Sequence, residues 1–155
     1  MSIPRPLFLL SALILALSFA ICFGNAALAK SRTVSATDGV ALAGYDPVAY
    51  FQDGQAMRGD PAHSLRWRGA TWLFASAAHL SAFEANPMAF FPEFGGYCVT
   101  ALAEGRAVPG NPEIWTMHEG KLYFSASQAE RERMLSEPVR FLSAAAANWP
   151  AAARN

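Results

Sequence analysis

Few side chains in this sequence could do chemistry, and residues 94–98 (FGGYC) hold two of them, Tyr97 and Cys98. Gly95 and Gly96 permit positive φ angles and a close approach by another group. The segment could therefore form one wall of a pocket in which Tyr97 or Cys98 faces a ligand. The alternative is a tight turn before a core strand, and base rates favour it for the cysteine, which would then be a small buried apolar side chain.

Three histidines complete the set of soft donors: His63, His79 and His118. They fall on three separate predicted elements, and a closed zinc site needs four Cys or His ligands. We therefore expect no stoichiometric structural zinc. A weaker open site for copper or zinc, formed by Cys98 with His79, is the alternative, because thiolate and imidazole suit both ions. No Walker loop, HExxH, GxSxG, dinucleotide fingerprint or CxxC occurs.

Residues 1–29 have the pattern of an export signal. Arg5 precedes an uncharged apolar run at residues 7–23, and Ala27 and Ala29 supply the small residues that signal peptidase accepts. The pattern predicts cleavage after Ala29 and an exported protein, periplasmic or extracellular.

An uncleaved anchor is the main alternative, but the apolar run is at the short edge of the ~17–25 residues that a spanning helix needs. A lipoprotein would use Cys22, yet Ile21 stands where a lipobox needs Gly or Ala. Cleavage would leave no stable membrane anchor. It would also leave Cys98 as the single cysteine, unable to form an intramolecular disulfide. No basic stripe is visible, so nucleic acid is not an expected partner.

The rest of the chain must position these side chains, and its pattern predicts one α+β domain of two β-hairpins with short packed helices. Residues 30–40 lack periodicity and read as a flexible lead-in to a domain at 41–150. In the first half, we expect a helix at 47–52, a hairpin of 65–68 with 71–74 around Gly69-Ala70, a Ser76-capped helix to Asn86 and a short helix after Pro87. A strand at 97–103 follows, and then a hairpin of 114–118 with 121–124 around Glu119-Gly120. The last two elements are a Ser127-capped helix and a helix from Pro138 that ends at Pro150.

Six phrases in this order resemble the YHS domain family, in its exported single-domain branch. They are 44–51 (GYDPVAYF), 69–76 (GATWLFAS), 83–87 (FEANP), 94–98 (FGGYC), 120–123 (GKLY) and 148–150 (NWP). The wider family is similar to small treble-clef-like metal modules of metal transporters and monooxygenase subunits. Its cysteine ligands correspond to Ala49, Ala75 and His79 here, so the resemblance implies that the family's metal site is lost. The naming tripeptide is also absent, and residues 62–64 (AHS) are the nearest equivalent.

The favoured hypothesis is an extracytoplasmic, non-enzymatic binding module for a metal ion or a small ligand. Its pocket would be built from two segments, with His79 as an additional candidate; the segment residues are Tyr45, Asp46, Gly95, Gly96, Tyr97 and Cys98. A thiol-dependent enzyme or redox protein using Cys98 is one alternative, but it needs a nearby His or helix N-terminus to lower the thiol pKa. An accessory protein that binds another exported protein is the other.

Overall fold

The computed structural model describes residues 33–152, and the predicted signal at residues 1–29 lies outside this range. The strands of the described part are β1 (Ala36–Thr37), β2 (Val40–Ala41), β3 (Asp60–Trp67), β4 (Ala70–Phe74), β5 (Asn111–His118) and β6 (Lys121–Ser125). Its α-helices are α1 (Ala49–Gln52), α2 (Ala77–Ala85), α3 (Val99–Ala103), α4 (Gln128–Ser136) and α5 (Pro138–Ala152). Helices and hairpins are mixed along the chain, so the predicted small α+β domain is confirmed. None of the helices described is long and apolar enough to cross a membrane.

Both predicted hairpins form. Strands β3 and β4 pair antiparallel within a four-stranded sheet of order β1-β2-β4-β3, and β5 pairs with β6 in a sheet of two strands. The first turn is at Arg68-Gly69, one residue earlier than expected, and the second is at Glu119-Gly120 as predicted. All four turn residues have positive φ, which is the backbone of tight two-residue hairpin loops.

Two helix starts that position the site are set by serine caps, as the sequence predicts. The Ser76 hydroxyl accepts a hydrogen bond from the His79 amide at 3.1 Å, and the Ser127 hydroxyl accepts one from the Glu130 amide at 3.2 Å. Each cap satisfies one amide that the first turn of a helix leaves without a partner. The caps fix where α2 carries His79 and where α4 carries Arg131.

The prediction of a flexible lead-in over residues 30–40 needs correction for its described part. Val34 and Ser35 are buried, and the Ser35 amide donates to the Gly95 carbonyl at 2.8 Å. Strand β1 then pairs with β2, and β2 joins the first sheet through Val40. Backbone hydrogen bonds fix this segment, which is why a search for apolar periodicity misses it.

Three other boundaries differ from the prediction. The strand expected at 97–103 is wrong, because Tyr97 and Cys98 make only isolated bridges and the chain then turns into α3. The helix expected at 47–52 is shortened to α1. The last helix, α5, continues two residues past Pro150 to Ala152. Val-Thr-Ala-Leu-Ala suits a helix or a strand equally well, so local propensity could not decide its conformation.

The core near the candidate residues is aromatic. Trp72, Phe74 and Phe83 are fully buried, and the Trp72 and Phe83 rings stack with centroids 5.4 Å apart. Leu80 and Trp115 are only partly buried, but both pack against the same cluster. The aromatic side chains of β3, β4 and α2 therefore form one packed core.

Candidate functional site

The carboxylate of Asp46 is the centre of a buried polar network. The residue is fully buried, its Oδ1 accepts from the Val48 amide at 2.8 Å, and its Oδ2 accepts from the Ala75 amide at 2.8 Å. The same Oδ2 lies 2.6 Å from His79 Nδ1. One carboxylate therefore ties the start of α1 and the end of β4 to helix α2, and its lone pairs are used by the protein itself.

His79 stands between two carboxylates. Its side chain is 13% exposed, with Nδ1 against Asp46 and Nε2 3.4 Å from an Asp53 carboxylate oxygen. Each ring nitrogen of His79 therefore has a carboxylate oxygen close to it. A metal-bound imidazole instead offers a lone pair to the ion.

No group of three or more His, Cys, Asp or Glu side chains within residues 33–152 could hold a metal ion. The other two histidines, His63 on β3 and His118 on β5, are half-buried and lie on different sheets.

Tyr45 extends the polar network toward β5. Its hydroxyl donates to Glu113 Oε1 at 2.7 Å, and the Arg58 guanidinium lies 4.5 Å from the centre of its ring. The hydrogen bond to Glu113 is the main cause that raises the pKa of Tyr45 above its usual value of 10, and desolvation adds to it. The Tyr45 side chain thus orients a carboxylate that lies 68 residues away in the chain.

Gly95 and Gly96 admit the protein's own chain. A Cβ on Gly95 would lie 2.1 Å from the Thr33 carbonyl oxygen, and one on Gly96 would lie 2.5 Å from a Leu42 methyl group. Both glycines also have positive φ. The close approach that the glycine pair predicts is therefore real, but the approaching groups are residues 33–35 and Leu42, so the predicted pocket wall needs correction.

Tyr97 and Cys98 also face the interior. The Tyr97 hydroxyl donates to the Val34 carbonyl at 3.5 Å, and its ring packs on Trp149. Cys98 is fully buried, with its sulfur 3.1 Å from the hydroxyl oxygen of Thr100, which is also fully buried. The thiol is therefore buried, which is the alternative that base rates favour, and its neighbour is a hydroxyl group.

The predicted pocket residues thus divide into two groups. Asp46 and His79 come together and Tyr45 lies beside them, whereas residues 95–98 pack against the N-terminal segment, Leu42, Thr100 and Trp149. Cys98 and His79, the proposed pair of metal ligands, have different side-chain partners.

A cleft between β5 and α4 is the feature that sequence reasoning missed. Its volume is about 340 Å³, and it is lined by Glu113, Ile114, Trp115, Thr116, Met117, Gln128 and Arg131. We call it the β5–α4 cleft. A second cleft, of about 370 Å³, is mostly apolar; its lining is Met88, Phe91, Pro92, Glu93, Phe94, Ala146 and Trp149.

Arg131 is anchored in the β5–α4 cleft through one nitrogen only. Its Nε donates to the Trp115 carbonyl and to the Thr116 hydroxyl, both at 3.1 Å. Its two terminal nitrogens make no hydrogen bond or ion pair to any residue in the described range. In the sequence Arg131 belongs to QAERERML, which is typical of a solvated charged helix, so nothing there marks it out.

Comparisons of this chain with protein-family models, with curated proteins and with solved structures found no match. The resemblance to YHS domains therefore rests on the six sequence phrases alone. Function must be argued from the side chains and the two clefts.

Proposed function

We propose that this protein is an exported, non-enzymatic binding module of the YHS type that holds a small ligand in the β5–α4 cleft. The observation that carries the proposal is Arg131, a guanidinium fixed at Nε with both terminal nitrogens unused, on the wall of a cleft of about 340 Å³. Export is supported by the sequence of residues 1–29.

The cleft has the size and the chemistry of a ligand site. Small-molecule pockets span roughly 300–1,000 Å³ and combine an apolar lining with a few placed polar groups. A guanidinium offers a rigid fork of donors that matches a carboxylate or a phosphate. Because Nε is already held, binding would immobilise less of this side chain, and each freely rotating side chain costs about 0.5–1.5 kcal/mol to order.

The two alternatives at the predicted residues are less well supported. A thiol-dependent activity needs Cys98 to be reached by substrate and activated by a base, whereas its sulfur is buried beside Thr100. Metal binding by His79 would compete with both of its carboxylate contacts, to Asp46 and to Asp53.

A nuclear magnetic resonance titration of the purified ¹⁵N-labelled protein tests the proposal. The probes are sodium acetate, sodium citrate and zinc chloride, each added separately. We expect at least one carboxylate probe to shift amide signals of Glu113, Met117 and Gln128, and we expect Arg131→Met to remove those shifts. Arg140→Met is the matched control, because Arg140 is an exposed arginine on α5 that pairs with Glu137 just before the helix.

Carboxylate shifts that survive Arg131→Met, or no shift in the cleft with any probe, would overturn the proposed site. Stoichiometric zinc shifts at His79 and Cys98 would favour the metal alternative. The intact mass of the same sample, after expression in an exporting host, shows whether the protein begins at Lys30. A mass that retains residues 1–29 would contradict export with cleavage.

A further inference from the structure

The β5–α4 cleft carries a negative charge as well as a positive one. Glu113 is exposed and lines the same cleft as Arg131. Its Oε1 accepts the Tyr45 hydroxyl at 2.7 Å, which holds the carboxylate in place. Its Oε2 makes no hydrogen bond to a residue in the described range, so one oxygen is available to a ligand.

The two charges are not used by the protein to neutralise each other. Neither Glu113 nor Arg131 forms an ion pair with any residue within 33–152, and each is held instead by a neutral partner, Tyr45 or the Trp115 carbonyl. Glu130, which precedes Arg131 on α4, is paired with Arg133 and does not line the cleft. The cleft therefore presents one fixed cation and one fixed anion.

Such a lining discriminates between classes of ligand. A simple anion would be attracted by Arg131 but repelled by Glu113, and a simple cation would be attracted by Glu113 but repelled by Arg131. A ligand that carries both charges is attracted at both ends, whereas a like-charge contact weakens the binding of a ligand that carries only one charge. We propose that the β5–α4 cleft binds a small zwitterion, with its carboxylate on Arg131 and its ammonium group on Glu113. This inference rests on the proposed function.

The spacing along β5 indicates an extended zwitterion. Arg131 is bound at Trp115 and Thr116, which are two and three residues beyond Glu113 in the strand. Strand β5 is irregular between Asn111 and Trp115, so a rise of about 3.3 Å per residue is an upper limit, and the two anchor points lie at most roughly 7–10 Å apart along the backbone. The termini of a dipeptide are separated by several bonds and fit this span better than those of an α-amino acid. The Gln128 amide, which can both donate and accept, suits the peptide group between them.

Calorimetric titration of the purified protein with four matched probes tests the inference. Glycylglycine carries both charges, N-acetylglycine only the carboxylate, glycylglycinamide only the ammonium, and glycine both charges at short spacing. We expect glycylglycine to bind at least about tenfold more tightly than each of the other three, since two charge-assisted contacts replace one. This comparison uses the unmodified protein, so it does not depend on a variant that folds.

Two variants assign the charges. Glu113→Gln should lower the affinity for glycylglycine to that for N-acetylglycine, while keeping an oxygen that accepts from Tyr45. Arg131→Met should weaken both probes. Glu137→Gln and Arg140→Met, which alter an exposed pair at the start of α5, should change neither.

Equal binding of N-acetylglycine and glycylglycine would overturn the zwitterion and leave the proposed small-ligand site standing. Tighter binding of glycine would overturn the extended spacing. If none of the probes binds and the carboxylates of the earlier titration also fail, both proposals are overturned.

Discussion

Two segments that the sequence analysis assigns to one pocket have different roles in the structure. In residues 45–46 the side chains matter, because the Asp46 carboxylate accepts three hydrogen bonds and the Tyr45 hydroxyl orients Glu113. In residues 95–96 the absence of a side chain matters, because another stretch of the chain packs where a Cβ would be. We call the first the acid segment and the second the glycine segment.

The difference shows what each kind of sequence signal can say. A buried acid must find donors, so Asp46 predicts a polar network whatever its neighbours are. A glycine pair predicts only that something comes close, and the protein's own backbone fits that requirement as well as a ligand does. The glycine segment therefore looked functional in the sequence, although it holds the N-terminal segment in place.

Removal of the Asp46 carboxylate should have the largest effect. Asp46→Ala leaves two amides and the His79 ring without their acceptor in a buried place, and each buried donor that loses its acceptor costs about 1–3 kcal/mol. Urea denaturation measures the free energy of unfolding. Asp53→Ala is the control, because Asp53 contacts the same histidine from a partly exposed position. Equal losses in the two variants would show that the acid segment does not depend on its buried carboxylate.

The glycine segment is broken by a single methyl group. Gly95→Ala places a carbon against the Thr33 carbonyl oxygen, and we expect a loss of about 2–4 kcal/mol from overpacking together with the left-handed backbone. Gly105→Ala is the matched control: its φ is +78° and no atom lies within 4 Å of its Cβ position, so it carries the backbone strain alone. If chemical denaturation gives the two variants the same stability, the close approach to Thr33 contributes nothing.

The smallest effect at neutral pH concerns two tyrosines, Tyr45 of the acid segment and Tyr50 on α1. Burial raises the pKa of Tyr50 well above its usual value, and the pKa of Tyr45 is also raised. Both groups keep their protons more tightly in the folded state. Their contribution to stability is therefore complete below the unfolded pKa of about 10 and is lost as the pH rises above it.

The melting temperature of the protein should accordingly fall between pH 10 and pH 11. Tyr50→Phe should show a smaller fall, although it lacks the hydrogen bond to the Pro112 carbonyl at every pH. The same fall in both proteins would exclude a role for the Tyr50 proton.

Local signals in the sequence were sufficient for much of the fold. Gly69 and Gly120 marked the hairpin turns, and Ser76 and Ser127 marked helix starts, because each acts on residues next to it in the chain. The candidate site was much harder, since its contacts join distant residues: Tyr45 reaches Glu113 across 68 positions. Arg131 could not be separated from its neighbours, because only the fold decides which arginine of a charged helix reaches a strand.

The docking of the N-terminal segment on the glycine segment also constrains the order in which the protein folds. Tyr97 and its acceptor Val34 are separated by 63 residues. The Ser35 amide likewise donates to the carbonyl of Gly95, which lies far along the chain. A chain that emerges N-terminus first presents residues 33–35 long before their partners are available. Contacts of such long range close loops late and slow the folding reaction. Residues 33–35 should therefore be among the last to acquire their native contacts, although they are synthesised before their partners.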